Sequence, residues 1–262
     1  MSAAVELRNV GFRYGERRVL HGVDAAIPEG RLCALLGPNG SGKTTLLRIM
    51  AGLLRGGEGC VHVMGRDVAA CSAGQRARLV GYLPQQHRAI FPFSVRDVVL
   101  TGRAAHVRFT PGDRDLMRAR HAMETVGIAG LADRRYTELS GGEQQLVLIA
   151  RVLAQEARVV LLDEPTSHLD FRNRTCLMNL LRELVAGGLT VIVVLHNPNT
   201  AFLYGDRFLF LKAGRLQTPP SGGGMADPRF LHDLYAVDVD TVSLDNGRSL
   251  VIPRSPREPE HA

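Results

Sequence analysis

Eight residues from Gly37 to Thr44 constrain this chain more than any other segment. They read Gly-Pro-Asn-Gly-Ser-Gly-Lys-Thr, after an apolar run at 32–36 and before an apolar helical pattern from Thr45 to Met50. Glycines at this spacing let successive backbone N–H groups turn toward one point, and the N-terminus of the following helix adds the positive end of its dipole. The segment is therefore typical of a phosphate-binding loop between a buried strand and a helix.

The side chains of this loop divide into two roles. A lysine at the position of Lys43 reaches the β- and γ-phosphates of a nucleotide, and the hydroxyl of Thr44 is a ligand for Mg²⁺. A match over eight residues in a chain of 262 residues arises by chance roughly once in a hundred sequences. The predicted ATP-binding residues of the loop are Gly37, Pro38, Asn39, Gly40, Ser41, Gly42, Lys43, Thr44 and Thr45.

A second apolar run, Val159 to Leu162, ends in Asp163 and Glu164. Such a pair alone is more often a solvated strand end. Beside a phosphate-binding loop in a parallel sheet, however, the first acid can hold Mg²⁺ and the second can orient and deprotonate an attacking water. We therefore predict Asp163 as a metal-binding residue and Glu164 as the catalytic base.

The remaining pattern indicates an α/β chain with a helical insertion at about 87–155. Short strands broken by turns are predicted within residues 5–35, the last of them at 32–36, and further strands at 60–63, 159–162, 191–195, 208–211, 237–242 and 250–252. Helices are predicted at 45–50, 95–100, 113–126, 141–153, 172–185 and 228–235. A Pro/Gly-rich link at 218–224 leads into the C-terminal elements, so we predict one domain at 1–220 and a short C-terminal appendix and tail at 221–262.

Composition excludes several classes of protein. No apolar stretch approaches the 18 residues of a membrane span, and the N-terminus lacks the apolar region of a signal peptide, so we expect a cytosolic chain. The net charge of +6 fits nucleic acid, an anionic membrane or an anionic ligand, but without a dense basic block we favour an ordinary solvated surface and no nucleic-acid partner. No Cys-x-x-Cys pair occurs, and we predict small core residues in a reducing compartment at Cys33, Cys60, Cys71 and Cys176.

The segment Leu139-Ser140-Gly141-Gly142-Glu143 precedes a helical pattern. An N-capped helix with a glycine turn is the ordinary alternative, but beside the two motifs above the segment resembles the signature of ABC (ATP-binding cassette) ATPases. The resemblance covers residues 5 to about 253. It implies an α/β fold of the P-loop NTPase type, with a mixed central sheet, an antiparallel β subdomain and a helical subdomain. It also implies nucleotide contacts from Ser140, Gly141, Gly142 and Glu143.

Other positions match the family in chain order. Tyr14 resembles the aromatic residue that stacks on adenine, although a lone tyrosine in a strand more often only packs. Gln85 resembles the glutamine that senses Mg²⁺ and the attacking water, with Gln86 as the neighbouring choice. His196 resembles the histidine that contacts the γ-phosphate, and residues 167–170 resemble a loop that crosses the dimer interface. The predicted catalytic set is Glu164, His196 and Gln85, and the predicted metal-binding set is Thr44, Gln85 and Asp163.

Within the family, the chain is similar to ATPases of importers for iron–siderophore complexes, haem and cobalamin. This narrower likeness rests on the segments 82–85, 101–103 with His106, 165–170, 196–199, 234–239 and 251–253. Two positions depart from the family: Gln144 stands where arginine is usual, and Asn197 where aspartate is frequent. Neither departure removes a phosphate or metal contact.

The resemblance implies a homodimer that closes on ATP and Mg²⁺ and drives integral membrane permease subunits, which receive cargo from a substrate-binding protein. Such a subunit works on the cytoplasmic face of a bacterial membrane. We expect the permease to dock between Gln85 and Arg96, where Ile90, Phe91 and Phe93 form an apolar segment, with simple core packing as the alternative. The other functions considered are an exporter ATPase and a soluble ABC ATPase of DNA repair, translation or cluster assembly.

Overall fold

The computed structural model describes residues 3–55, 57–85, 92–167, 169–220, 224–245 and 247–254. The strands in chain order are β1 (Ala3–Tyr14), β2 (Arg17–Pro28), β3 (Leu32–Leu36), β4 (Glu58–Val63), β5 (Arg66–Asp67), β6 (Val80–Leu83), β7 (Val159–Asp163), β8 (Thr190–Val194), β9 (Arg207–Lys212), β10 (Arg215–Gln217), β11 (Val239–Ser243) and β12 (Ser249–Pro253). The α-helices are α1 (Lys43–Met50), α2 (Ala73–Leu79), α3 (Val95–Leu100), α4 (Asp113–Thr125), α5 (Gly141–Ala154), α6 (Phe171–Ala186), α7 (Pro198–Tyr204) and α8 (Pro228–Tyr235).

The central sheet has the strand order β10-β9-β3-β8-β7-β6. All neighbours pair in parallel except the edge strand β10, which runs antiparallel to β9. Every residue of β3, β7 and β8 is buried, because helices and the second sheet cover both faces, and this explains their continuous apolar runs. The phosphate loop follows β3, the acid pair ends β7 and His196 follows β8, so all three emerge at one edge of the sheet.

A second, antiparallel sheet has the order β2-β1-β4-β5. It packs over one face of the central sheet, where Cys33 and Leu35 point into a hydrophobic cluster shared with α1. The alternate residues Leu32, Ala34 and Leu36 point into a separate cluster on the other face, which holds the helices α3 to α8. The mixed sheet, the antiparallel sheet and the helical region between α3 and α5 agree with the predicted architecture.

The predicted strands and helices agree with the structure to within a few residues at their ends. Ser94 caps α3 by accepting a hydrogen bond from the Asp97 N–H at 3.1 Å. The helices α2 and α7, the short strands β5 and β10 and the edge strand β6 were not predicted. The prediction that Cys176 is a core residue was wrong, because α6 turns this side chain to solvent. No helix in the described part of the chain is long and apolar enough to cross a membrane.

Candidate nucleotide-binding site

The phosphate loop leaves β3 through Gly37, whose φ of 147° lies in the region that favours glycine. A Cβ at this position would lie 2.0 Å from the carbonyl oxygen of Leu211 on the neighbouring strand, so no other residue fits. The loop enters α1 through Gly42, which caps the helix with φ 106° and no side-chain hydrogen bond. The free N–H groups of the first turn of α1 consequently face the loop.

Lys43 lies almost fully inside this loop. Its ammonium group donates hydrogen bonds to the carbonyl oxygens of Gly37 and Pro38, each at 2.9 Å. Burial lowers the pKa of Lys43, while the nearby carboxylates of Glu164 and Asp163 act in the opposite direction. The ammonium group of Lys43 therefore lies within the phosphate-binding loop, as predicted for a group that binds the phosphates of a nucleotide.

Two further features of the loop suit a bound phosphate chain. The Ser41 hydroxyl is buried without a hydrogen-bond partner among the described residues, which is costly unless a ligand supplies one. Gly40, with φ 75°, leaves open space where a Cβ would be. Together with the helix N-terminus and Lys43, these groups fit the phosphates of a nucleotide.

Asp163 ends β7 opposite the start of α1. Thr44 Oγ1 donates to Asp163 Oδ1 at 3.2 Å, and the Tyr82 hydroxyl donates to Asp163 Oδ2 at 3.4 Å. Only 1% of Asp163 is exposed, and burial raises the pKa of its carboxyl group, partly offset by the Thr44 hydrogen bond. A buried carboxylate beside a hydroxyl offers the hard oxygen ligands that Mg²⁺ prefers.

Glu164 follows β7 and contacts residues that follow the two neighbouring strands, β6 and β8. One carboxylate oxygen, Oε2, accepts a hydrogen bond from Gln85 Nε2 at 2.6 Å and lies 2.5 Å from His196 Nε2. The residue has φ 53°, a left-handed conformation that is uncommon outside glycine and is often found at functional sites. The structure therefore brings together the three residues of the predicted catalytic set.

A cavity of about 630 Å³ opens in front of these groups. Its lining contains the predicted residues Tyr14, Asn39, Gly40, Gly42, Lys43, Thr44, Thr45, Gln85, Glu164 and His196. Tyr14 is 47% exposed at the mouth, and its ring and that of Phe12 form a T-shaped pair with 5.0 Å between their centroids. Arg17 and Val19 also line the cavity and were not predicted from the sequence.

The signature segment lies apart from this cavity. Ser140 caps α5: its backbone N–H and its hydroxyl both donate to Glu143 Oε2 at 2.8 Å, which lowers the pKa of Glu143. Ser140 and Gly141 are exposed, and no residue from Ser140 to Glu143 lines the cavity. The predicted nucleotide contacts of Ser140, Gly141, Gly142 and Glu143 are therefore not made to the cavity of the same chain.

Two residues next to the site, Tyr82 and Arg48, were not predicted from the sequence as part of it. Tyr82 touches Asp163, and a hydrogen bond to Tyr82 raises the pKa of Arg48, which also contacts Tyr14. Arg48 thus links the tyrosine at the mouth of the cavity to the residue behind the predicted metal site. Tyr82 belongs to a segment that carried the family likeness, which was the available signal, whereas nothing near Arg48 distinguished it from other arginines.

The sequence pattern of the family described as ABC transporter matches residues 20–167. This chain belongs to the ABC transporter family. The ABC chain is 40% identical over 244 residues to the hemin import ATP-binding protein HmuV of Streptomyces coelicolor, covering 92% of this chain and 87% of that protein. It is 31% identical over 245 residues to the petrobactin import ATP-binding protein YclP of Bacillus subtilis, covering 93% and 97% of the two chains.

Solved structures agree with this assignment. The ABC chain superposes with a TM-score of 0.84 and 29% identity on a chain described as part of a metal-chelate type ABC transporter in an inward-facing conformation, covering 97% and 98% of the two chains. It matches the ATP-binding cassette MJ0796, a dimer in a post-hydrolysis state bound to ADP and Pi, with a TM-score of 0.73 and 31% identity, covering 82% and 97%. The predicted ABC fold, nucleotide binding and ATPase activity are confirmed.

Proposed function

We propose that this ABC ATPase is the motor subunit of an importer for a metal chelate, with haem and iron–siderophore complexes as the favoured cargo. The main support for the proposal is that the chain aligns over nearly its whole length with relatives named as hemin and petrobactin import proteins. In the described residues the chain has the elements of one cassette, without the long coiled-coil insertion of soluble repair ATPases. The exporter alternative differs in the partner rather than in the cassette.

In the proposed reaction the loop from Gly37 to Thr45 holds the phosphates of ATP. Lys43 offsets their negative charge, and the Ser41 hydroxyl gains the partner that it lacks within the described chain. Thr44 and Asp163 would hold Mg²⁺. Gln85, which donates a hydrogen bond to Glu164, would lie close enough to contact the metal ion and the attacking water. Mg²⁺, when bound, would supply charge stabilisation for the transferred phosphoryl group.

Glu164 is the proposed general base. Its carboxylate accepts the proton of the attacking water, and its position is fixed because Gln85 and His196 both contact Oε2. The same contacts leave the other oxygen, Oε1, available to the water. His196, which is half-exposed on the cavity side, is the proposed contact to the γ-phosphate.

The exposed signature segment supports a dimeric site. A second copy facing the cavity would present Ser140, Gly141 and Gly142 to the phosphates bound by the first, so that ATP joins the two subunits. The N-terminus of α5 suits this role, since its free N–H groups favour an anion. The dimeric form of a related cassette is consistent with this arrangement.

Integral membrane permease subunits are the proposed partners, with cargo supplied by a substrate-binding protein. The ATPase would lie on the cytoplasmic face of a bacterial membrane. The expected docking segment runs from Gln85 to Arg96; Ile90 and Phe91 fall outside the described residues, whereas Phe93 is 56% exposed. Exposure of Phe93 favours docking over core packing at that position.

Reconstitution tests the proposal. The ATPase should co-purify with the permease encoded beside its gene, and the complex in liposomes should hydrolyse ATP faster when a haem-loaded or siderophore-loaded binding protein is added. Phe93→Ser should weaken co-purification, whereas Phe109→Ser, at another exposed site of the helical region, should not. Stimulation by a substrate on the ATPase side of the membrane, with no response to any binding protein, would favour the exporter instead.

A further inference from the structure

Two segments that carried the family likeness, 196–199 and 251–253, meet in the fold although some fifty residues separate them. The Asn199 side chain pairs with the backbone of Val251 in both directions. Asn199 Nδ2 donates to the Val251 carbonyl oxygen at 2.9 Å, and the Val251 N–H donates to Asn199 Oδ1 at 2.6 Å. This two-bond contact joins α7 to β12, and neither residue has a role in the proposed reaction.

The contact lies three residues from His196. Asn197 caps α7 by accepting the Asn199 N–H at 2.8 Å, so residues 197–199 form one hydrogen-bonded turn directly after the histidine. On the other side, the Leu195 N–H donates to the Leu35 carbonyl oxygen at 3.3 Å. His196 therefore lies between Leu195, which is hydrogen-bonded to β3, and the turn at 197–199, which is hydrogen-bonded to the C-terminal hairpin β11–β12.

The hairpin itself is anchored in the body of the chain. Val239 and Val251 are buried in the same cluster as Leu195 and Phe210, and the α8 ring of Phe230 lies edge-to-face on Phe210 at 4.9 Å. Lys212 donates a hydrogen bond to the Asp233 carbonyl oxygen. A rigid hairpin can hold a neighbouring turn in place because its own position is fixed by packing.

The same C-terminal region reaches the phosphate loop. The Tyr235 hydroxyl at the end of α8 is close to the backbone of Gly37, and it is buried without a hydrogen-bond partner among the described residues. Burial raises the pKa of Tyr235 to about 12. The C-terminal elements therefore contact the chain beside two parts of the nucleotide site, the first glycine of the loop and the turn after His196.

From this arrangement we infer that Asn199 is a positioning residue for ATP hydrolysis: by clamping α7 to the C-terminal hairpin it fixes His196 against Glu164. The inference rests on the proposed role of His196. A loosened turn would let His196 leave the carboxylate, and the catalytic step would slow while ATP binding, which depends on the phosphate loop, would stay the same. The C-terminal hairpin then affects catalysis only through the Val251–Asn199 contact, without touching the nucleotide.

Steady-state and single-turnover hydrolysis of ATP by the full chain test this inference. Asn199→Ala should lower kcat about tenfold and change KM for ATP by less than about twofold. The control Arg254→Ala breaks the Arg254–Asp240 pair within the hairpin without touching α7, and should leave both constants within about twofold of wild type. If Asn199→Ala does not fold, Asn199→Asp keeps the acceptor for the Val251 N–H and should show a smaller fall in kcat of the same kind.

A double-mutant comparison separates positioning from general damage. In a His196→Ala chain, measured by single turnover over long incubations, adding Asn199→Ala should produce no further loss, because its effect runs through the missing imidazole. The inference is overturned if the loss persists undiminished in that background, if Asn199→Ala leaves kcat unchanged, or if only KM rises. Wild-type turnover in His196→Ala alone would instead show that the proposed role of His196 is wrong.

Discussion

His196 Nε2 lies 2.5 Å from Glu164 Oε2. The same oxygen accepts a hydrogen bond from Gln85, so residues that follow β8 and β6 both hold the carboxylate that follows β7. Because β6, β7 and β8 are consecutive neighbours in the sheet, the spacing of three strand ends sets this geometry. Glu164 itself has a left-handed backbone conformation, with φ 53°.

Glu164→Gln should leave ATP binding intact and lower the rate of hydrolysis by roughly a hundredfold or more, because the amide keeps the size of the side chain but cannot accept a proton. ATP would then persist between two subunits, and the purified variant should shift from monomer toward dimer when ATP is added. Size-exclusion chromatography with light scattering measures the shift. Hydrolysis at the wild-type rate would show that the catalytic base is another residue.

Ser140→Arg provides the matching control in the Glu164→Gln background. A bulky cation at the cap of α5 would displace the signature segment from the partner's phosphate, so the ATP-dependent dimer should be lost while nucleotide binding by each monomer remains. Retention of the dimer in this double variant would mean that the subunits are joined through another surface.

Lys43→Ala should abolish ATP turnover and weaken nucleotide binding. The ammonium group is held within the loop by two carbonyl oxygens, and within the loop motif no other lysine can replace its charge. Binding is measured by fluorescence of a labelled nucleotide and turnover by phosphate release. Near-normal hydrolysis in a folded Lys43→Ala protein would contradict the assignment of the phosphate loop.

Gly37→Ala should destabilise the fold by about 3 kcal/mol or more, because the new Cβ would lie 2.0 Å from the Leu211 carbonyl oxygen and force the loop away from β9. Gly30→Ala is the matched control: this turn glycine also has a positive φ, of 62°, but open space around it. It should cost only about 1–2 kcal/mol, the ordinary price of a left-handed alanine. Chemical denaturation compares the two, and equal losses would contradict the steric argument.

Thiol labelling should distinguish the cysteines of the native protein. Burial raises the pKa of the Cys33 thiol to about 12. Since only the thiolate reacts, and a higher pKa means less thiolate at a given pH, its reactive fraction at pH 8 falls about a thousandfold relative to an ordinary thiol. Cys176 is exposed and should label first, with that fast phase absent in Cys176→Ser. Rapid native labelling of Cys33 would show that β3 opens readily.

The parts of the site that lie in one continuous segment could be predicted from the sequence. The phosphate loop, the acid pair and the cap at Ser140 each combine a distinctive run of residues with a flanking strand or helix. The helix α2 was missed although Ser72 and Gln75 form a capping box at its start, a local signal that was overlooked. The predicted burial of Cys176 was wrong because a helical pattern does not by itself say which side of the helix packs against the core.

Contacts between distant segments could not be predicted in the same way. Nothing in the sequence around Arg48 indicates that it meets Tyr82, and the pairing of Asn199 with Val251 depends on where α7 and the C-terminal hairpin come to rest. Such contacts depend on the geometry of the assembled sheet, whereas a motif depends only on its own residues. The boundary near residue 220 stays a prediction, because packing of α8 on β9 does not decide where an independent unit would end.

The signature segment at the start of α5 is exposed and does not line the chain's own cavity. If it completes the site of a second copy, a solitary subunit carries parts of two different nucleotide sites, neither of them complete. Under the proposed dimeric arrangement, hydrolysis per subunit should fall as the protein is diluted, because the encounter of two copies becomes scarce. A permease that holds two subunits side by side would remove this dependence by raising their effective concentration. The membrane partner would then act as a scaffold that makes the ATPase active where transport occurs and keeps free subunits nearly idle.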